Sequence, residues 1–151
     1  MNMIEPYVSA GSFSFGATYE YVVSDLGEPW SKEKNRLGET VVRYDGFGAT
    51  ISSHGVVEAY FLPETEVSLQ GVDVFGDPKA FRELCALDGN PKECMGFIVL
   101  LKLGVTMTGF HDGDEAQKAI TAFEKGRWDQ LAGENYGENC GDSAPNFLTE
   151  T

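Results

Sequence analysis

The strongest constraint on this chain lies between Phe75 and Phe110, where a helical pattern is stopped and a strand pattern begins within a short span. Asp77 can accept hydrogen bonds from the free amides of a first helical turn, and Pro78 has no amide to lose there. Phe81, Leu84 and Cys85 recur at i, i+3, i+4 and so share one helical face. Asp88-Gly89 supplies a stop, because glycine tolerates the left-handed conformation that ends helices, and Pro91 forbids continuation. Phe97-Ile98-Val99-Leu100-Leu101 is too short for an ordinary helix and too apolar for a surface loop. It predicts a strand buried on both faces. Leu103, Val105 and Met107 then alternate with Gly104, Thr106 and Thr108, which predicts a strand with one buried face.

With 151 residues and 42% hydrophobic content, the chain can bury a core without metals or cross-links. Eleven Lys and Arg stand against 24 Asp and Glu, a net charge of −13. That balance argues against nucleic acid, whose phosphates attract cations, and against an anionic membrane surface. It favours a basic protein partner, although acidity also serves simple solubility. Cys85, Cys94 and Cys140 are an odd number, so a disulfide framework is not expected, and Cys85 fits the apolar helix face as a small core residue. The first residues have no basic and then apolar signal pattern, and Lys102 cuts the longest apolar run. These features predict a reducing, cytoplasmic setting.

Met3 to Val8 predicts a short edge strand, with Pro6 tolerated there. Gly11 to Gly16 is a connection, and Thr18 caps a helix to Leu26 that presents Tyr19, Val22, Val23 and Leu26 on one face. Gly27 and Pro29 stop it. Ser31 to Glu39 is polar and predicts a loop. Thr40 to Tyr44, Phe47 to Ser52 and Val56 to Leu62 are strands, the last two joined at Ser53-His54-Gly55. Glu64 to Gly71 leads into the Phe75–Phe110 stretch.

The halves correspond. Ser12 to Gly16 lies 60 residues before Val72 to Gly76, and Phe47 to Ile51 lies 56 residues before Leu103 to Met107. Lys118 to Phe123 fits a helix or a strand by its own pattern; correspondence with Val56 to Leu62 selects strand. The expected architecture is α+β: two tandem helix-plus-antiparallel-sheet modules, residues 1–71 and 72–131, followed by a flexible acidic tail, 132–151. A helix with a glycine or proline stop and then a meander of three strands, occurring twice, resembles the beta-lactamase-inhibitor-protein and BamE/SmpA type of fold. Bacterial toxin immunity proteins look similar. The resemblance covers Phe13 to Leu131 and implies a small acidic protein without catalytic motifs that binds another protein.

His54 and His111 are the two histidines. His111-Asp112-Gly113-Asp114-Glu115 offers metal-type ligands, but Ala116 and Lys118 occupy later positions of a calcium loop, and Asp-Gly chemistry fits a turn. Gly46-Phe47-Gly48 lacks the following helix that a phosphate cradle needs and fits a hairpin. Cys85 or Cys94 could in principle act as a thiol nucleophile, but no base is tied to either by sequence. Trp30 and Trp128 sit among polar neighbours, where an aromatic ring is either an interface anchor or a lid on the core edge.

These residues lead to a non-enzymatic inhibitor or immunity protein that occludes the active site of a basic toxin or effector domain. Its expected partner-binding residues are Asp112, Asp114, Glu115, Asp73, Asp77, Trp128 and Trp30. No metal, no cofactor, no nucleic acid and no membrane are expected, and homodimerisation through an exposed strand edge stays open. The alternatives are a small hydrolytic enzyme and a small-ligand-binding α+β module.

Overall fold

The structure, a computed structural model, describes residues 2–94 and 96–128. Three short strands, β1 (Asn2–Glu5), β2 (Ser9–Ala10) and β3 (Phe13–Ser14), precede helix α1 (Tyr19–Leu26). Four strands follow: β4 (Ser31–Lys34), β5 (Thr40–Arg43), β6 (Phe47–Ser52) and β7 (Gly55–Phe61). A hairpin of β8 (Val67–Leu69) and β9 (Val72–Asp73) leads to α2 (Ala80–Asp88). Four more strands complete the described chain: β10 (Lys92–Cys94), β11 (Phe97–Leu100), β12 (Val105–Thr108) and β13 (Ala119–Phe123). The fold is mixed α+β.

The strands form two sheets. One has the order β3-β2-β1-β8-β9, and the other β10-β11-β12-β13-β7-β6-β5-β4. Each run of four strands after a helix is an antiparallel meander, and the last strands of the two runs pair at the middle, with Thr121 opposite Tyr60. That pairing joins the two four-strand runs in one continuous sheet. The matched stretches Phe47–Ile51 and Leu103–Met107 lie on the third strand of each run, β6 and β12, or just before it.

Register sorts the side chains of the large sheet onto two faces. On one face Ile98, Met107, Ile120, Phe61 and Phe47 form a cross-strand row. Against this face pack Val22 of α1, Leu84 and Cys85 of α2, and Ile4, Ala10 and Leu69 of the smaller sheet. Burying these aliphatic and aromatic surfaces supplies most of the driving force for folding. The opposite face carries a second, smaller cluster of Cys94, Val99, Phe123 and Trp128. Val99 is fully buried between Ile98 and Leu100, so β11 is buried on both sides as its unbroken apolar run predicts.

The helix ends follow the sequence signals. Thr18 Oγ1 accepts the Tyr21 amide at 3.1 Å, and Gly27 leaves α1 at φ 85°. Around α2, Asp77 Oδ1 accepts the Lys79 amide at 2.8 Å, so it closes a turn just before the helix rather than capping it. Gly89 takes the left-handed stop. Asp88 is buried, and its carboxylate accepts the amides of Lys102 at 2.8 Å and Leu103 at 3.1 Å. This clamps the helix end to the β11–β12 turn.

Four expectations need correction. β1 is the centre of its sheet, not an edge, because β8, within the stretch taken as a lead-in, pairs with it in parallel. Ser31–Lys34 is a strand, not a loop; as the outermost strand it needs no apolar alternation, and its charges suit an exposed edge. Leu101 belongs to the turn after β11 and is half-buried. Thr106, on the side expected to be polar and open, is buried beside Val99. Residues 118–123 resolve as expected, with β13 a strand. The tail expected at 132–151 lies outside the described residues.

Candidate functional site

Antiparallel order brings one set of connections to the same end of the large sheet: the turn between β5 and β6, the segment after β7, and the long connection between β12 and β13. Asp45, Glu64, Asp112, Asp114 and Glu115 are all exposed there. Trp30, just before β4, sits at this end too.

The β12–β13 connection is built by its own carboxylates. Asp112 Oδ1 accepts the Asp114 amide at 3.1 Å, and Asp114 Oδ1 accepts the Ala116 amide at 3.2 Å to cap a 3-10 turn, Glu115–Gln117. Thr108 Oγ1 donates to the Gln117 carbonyl at 2.8 Å. Gly109 has φ 79°, and a Cβ there would fall 2.5 Å from the Lys118 nitrogen, so only glycine allows the two ends to approach. Glu115 and Lys118 are 3.5 Å apart, with Glu115 exposed and Lys118 half-buried, a pair worth little in stability. Phe110 stacks against Phe75 at 5.8 Å and Phe81 at 5.9 Å. The stack places the β9–α2 connection, with Asp73 and Asp77, beside the Asp112–Glu115 turn. Asp73 Oδ1 accepts the Gly76 amide at 3.1 Å, so it too shapes a turn while remaining exposed.

Trp30 is 72% exposed, yet it is held. Its Nε1 donates to the Tyr44 carbonyl at 3.0 Å. Tyr44 stacks on Phe47 at 5.2 Å and donates its hydroxyl to the Gly27 carbonyl at 2.7 Å. Burial pushes the Tyr44 phenol up, with Tyr19 and Glu28 adding to it, so the hydroxyl stays a donor.

Trp128 contradicts its expected place on the same surface. It is 6% exposed and meets Phe97 and Phe123 edge-on at 5.7 and 6.4 Å. Its neighbour Arg127 explains why. The Arg127 guanidinium is buried and grips Glu39 (Nη2 to Oε1, 2.8 Å) and Glu58 (Nε to Oε1, 3.2 Å). The turn is thereby drawn onto the second sheet face. The Arg127 hydrogen bond, working against burial and helped by Asn35, holds the Glu39 carboxyl below the usual carboxylate range. No local pattern pointed to this cluster, because Glu39 lies 88 residues from Arg127 and Glu58 lies 69.

The second face also holds an open cavity of about 340 Å³, lined by Thr50, Glu58, Tyr60, Thr108, Thr121 and Lys118 among others. Sequence reasoning missed it, since threonines alternating along a strand look like any solvated face.

The remaining candidates separate. His111 lies 3.5 Å from Glu93 and faces the Phe81 ring, whereas His54 is exposed in the β6–β7 turn at the other end of the sheet. Among the described residues no three His, Cys, Asp or Glu side chains converge as metal ligands would. Cys85 is a free thiol in the core, pushed up to about 12 by burial and then by Asp88. Cys94, expected in a loop, is on β10, fully buried and disulfide-bonded. Neither sulfur is the thiolate that nucleophilic chemistry needs. No family model, curated protein or solved structure matches the chain.

Proposed function

We propose that this protein is a non-enzymatic inhibitor of the immunity type, which binds a basic toxin or effector domain and covers its active site with acidic loops. One observation carries the reading: an exposed Trp30, hydrogen-bonded to the Tyr44 carbonyl, shares one end of the large sheet with the exposed Asp45, Glu64, Asp112, Asp114 and Glu115. An aromatic ring fixed in solvent loses little entropy on docking, and surrounding carboxylates steer a cationic partner. The net charge of −13 supports the same sign of partner. We read the two helix-plus-meander runs as related modules, which agrees with the resemblance to duplicated inhibitor folds.

The charged outer strand, with Lys32, Glu33 and Lys34, supports heterologous binding over edge-to-edge self-pairing. No helix among the described residues is long and apolar enough to cross a membrane.

The test is retention of host proteins on the immobilised chain at low salt, run beside a variant with Asp112→Asn, Asp114→Asn, Glu115→Gln and Trp30→Ala combined. A basic protein held by the wild type and lost by the variant supports the proposal. Equal retention by both would refute this surface.

A further inference from the structure

Cys94 is disulfide-bonded, whereas Cys85 is a free thiol in the core. The chain has three cysteines, so Cys140 is the one sulfur left within the chain to close the bond. Cys94 is fully buried on β10, in the smaller cluster with Val99, Phe123 and Trp128. Register sets it opposite Phe97, whose ring meets Trp128 at 5.7 Å. The stretch 129–139 therefore starts at one member of this cluster, Trp128, and is followed by the sulfur that reaches another, Cys94.

Beside the cluster lies an open cavity of about 540 Å³, lined by Tyr7, Leu101, Phe123, Lys125, Gly126 and Trp128. Leu101 belongs to the β11–β12 turn, which places the cavity at the end of the sheet opposite the acidic connections. Its wall is built. Tyr7 has φ 64°, a left-handed conformation that a tyrosine keeps only where its surroundings enforce it. Its hydroxyl donates to the Leu101 carbonyl, and its ring meets Phe123 edge-on at 5.8 Å. A Cβ on Gly104 would come within 3.2 Å of that ring.

We propose that Cys94 and Cys140 are joined and that residues 129–139 form a strap over this cavity, with Leu131 and Tyr136 against its apolar lining. Surface loops of this length whose two ends lie close pack on their own side chains. Lys125 on the rim complements Asp129, Glu134 and Glu138 of the strap. Forming the bond takes two electrons and two protons from the two thiols and passes them to a small-molecule disulfide, which leaves as two thiols. The strap replaces, as far as Cys140, the flexible tail that composition implies. It closes this face to a partner and leaves the acidic end open, and it does not rest on the inhibitor reading.

The test starts from the full chain purified without reductant, its free thiols alkylated in denaturant and the product digested with trypsin. Cys85 should be the alkylated cysteine. The peptides of Cys94 and Cys140 should stay joined until reductant is added, and the undigested protein should have the mass of one chain. Alkylated Cys94, or a bond between two chains, would overturn the proposal. Nuclear Overhauser effects in the isotope-labelled chain read the contact: protons of Leu131 or Tyr136 should lie close to those of Tyr7, Leu101 or Phe123. A joined pair without such contacts would overturn the strap. Cys140→Ser leaves every described residue in place. It should remove those contacts and lower the unfolding midpoint by about 10 °C, because the bond closes a long loop in the unfolded chain. Unchanged contacts with an unchanged midpoint would show that the bond does not hold the segment, and would overturn the proposal.

Discussion

Trp30 and Trp128 have similar neighbours in sequence and opposite surroundings in the fold. Both sit among charged or polar residues, Trp30 directly after Pro29 and Trp128 two residues after Gly126. Trp30 enters the outermost strand, where nothing packs above it, and one hydrogen bond to Tyr44 fixes it in solvent. Trp128 follows Arg127, whose buried ion pairs with Glu39 and Glu58 pull the chain over Val99 and Phe123. The difference teaches that a tryptophan's role here is set by where its strand or turn falls in the sheet and by a long-range charge pair. Local polarity does not decide it.

The comparison can be broken first at the covered face. Val99→Asp places a charge inside a strand buried on both sides and should cost about 4 kcal/mol or more, enough to prevent folding. The same change at Leu101, in the half-buried turn, should be milder; soluble expression and urea unfolding of the pair measure the gap. Trp128→Ala should come next, at about 3–5 kcal/mol, because it opens a cavity against Phe97 and Phe123. Arg127→Ala should cost about 3 kcal/mol by leaving two glutamates without their partner. Trp30→Ala should change stability by less than about 1 kcal/mol, since the ring buries little and gives up one exposed hydrogen bond.

The ion cluster adds a dependence on acid. The Glu39 carboxyl is held below its ordinary value of 4.5, so its contribution is present above that pH and is lost as pH falls through the lower folded value. The wild type should therefore lose stability below about pH 4.5 more steeply than Glu39→Gln, as read from unfolding midpoints across an acid series.

Much of this was legible in the sequence, for physical reasons that can be named. Thr18, Gly27 and Gly89 act at short range, so both helices and their stops could be read directly. The apolar run from Phe97 and the alternation from Leu103 carry strand periodicity, and comparison of the halves decided β13 where its own pattern could not. The acidic turn at Asp112 was visible because Asp-Gly chemistry is local. What escaped depends on distant pairing: β1 beside β8, the Arg127 cluster, and the groove around Glu58 and Tyr60. Ser31–Lys34 escaped because an edge strand with solvent on its open side needs no apolar alternation.

The proposed docking surface is the acidic end of the large sheet, with Trp30 rather than Trp128 as its anchor. The most direct measurement is binding kinetics against the basic protein retained on the immobilised chain, at low and high salt. The Asp112→Asn, Asp114→Asn, Glu115→Gln variant should associate about tenfold more slowly than wild type at low salt, and the gap should shrink as salt screens it. Trp30→Ala should leave association nearly unchanged and speed dissociation. Wild-type association rates in the triple variant at both salts, together with unchanged dissociation in Trp30→Ala, would contradict the account.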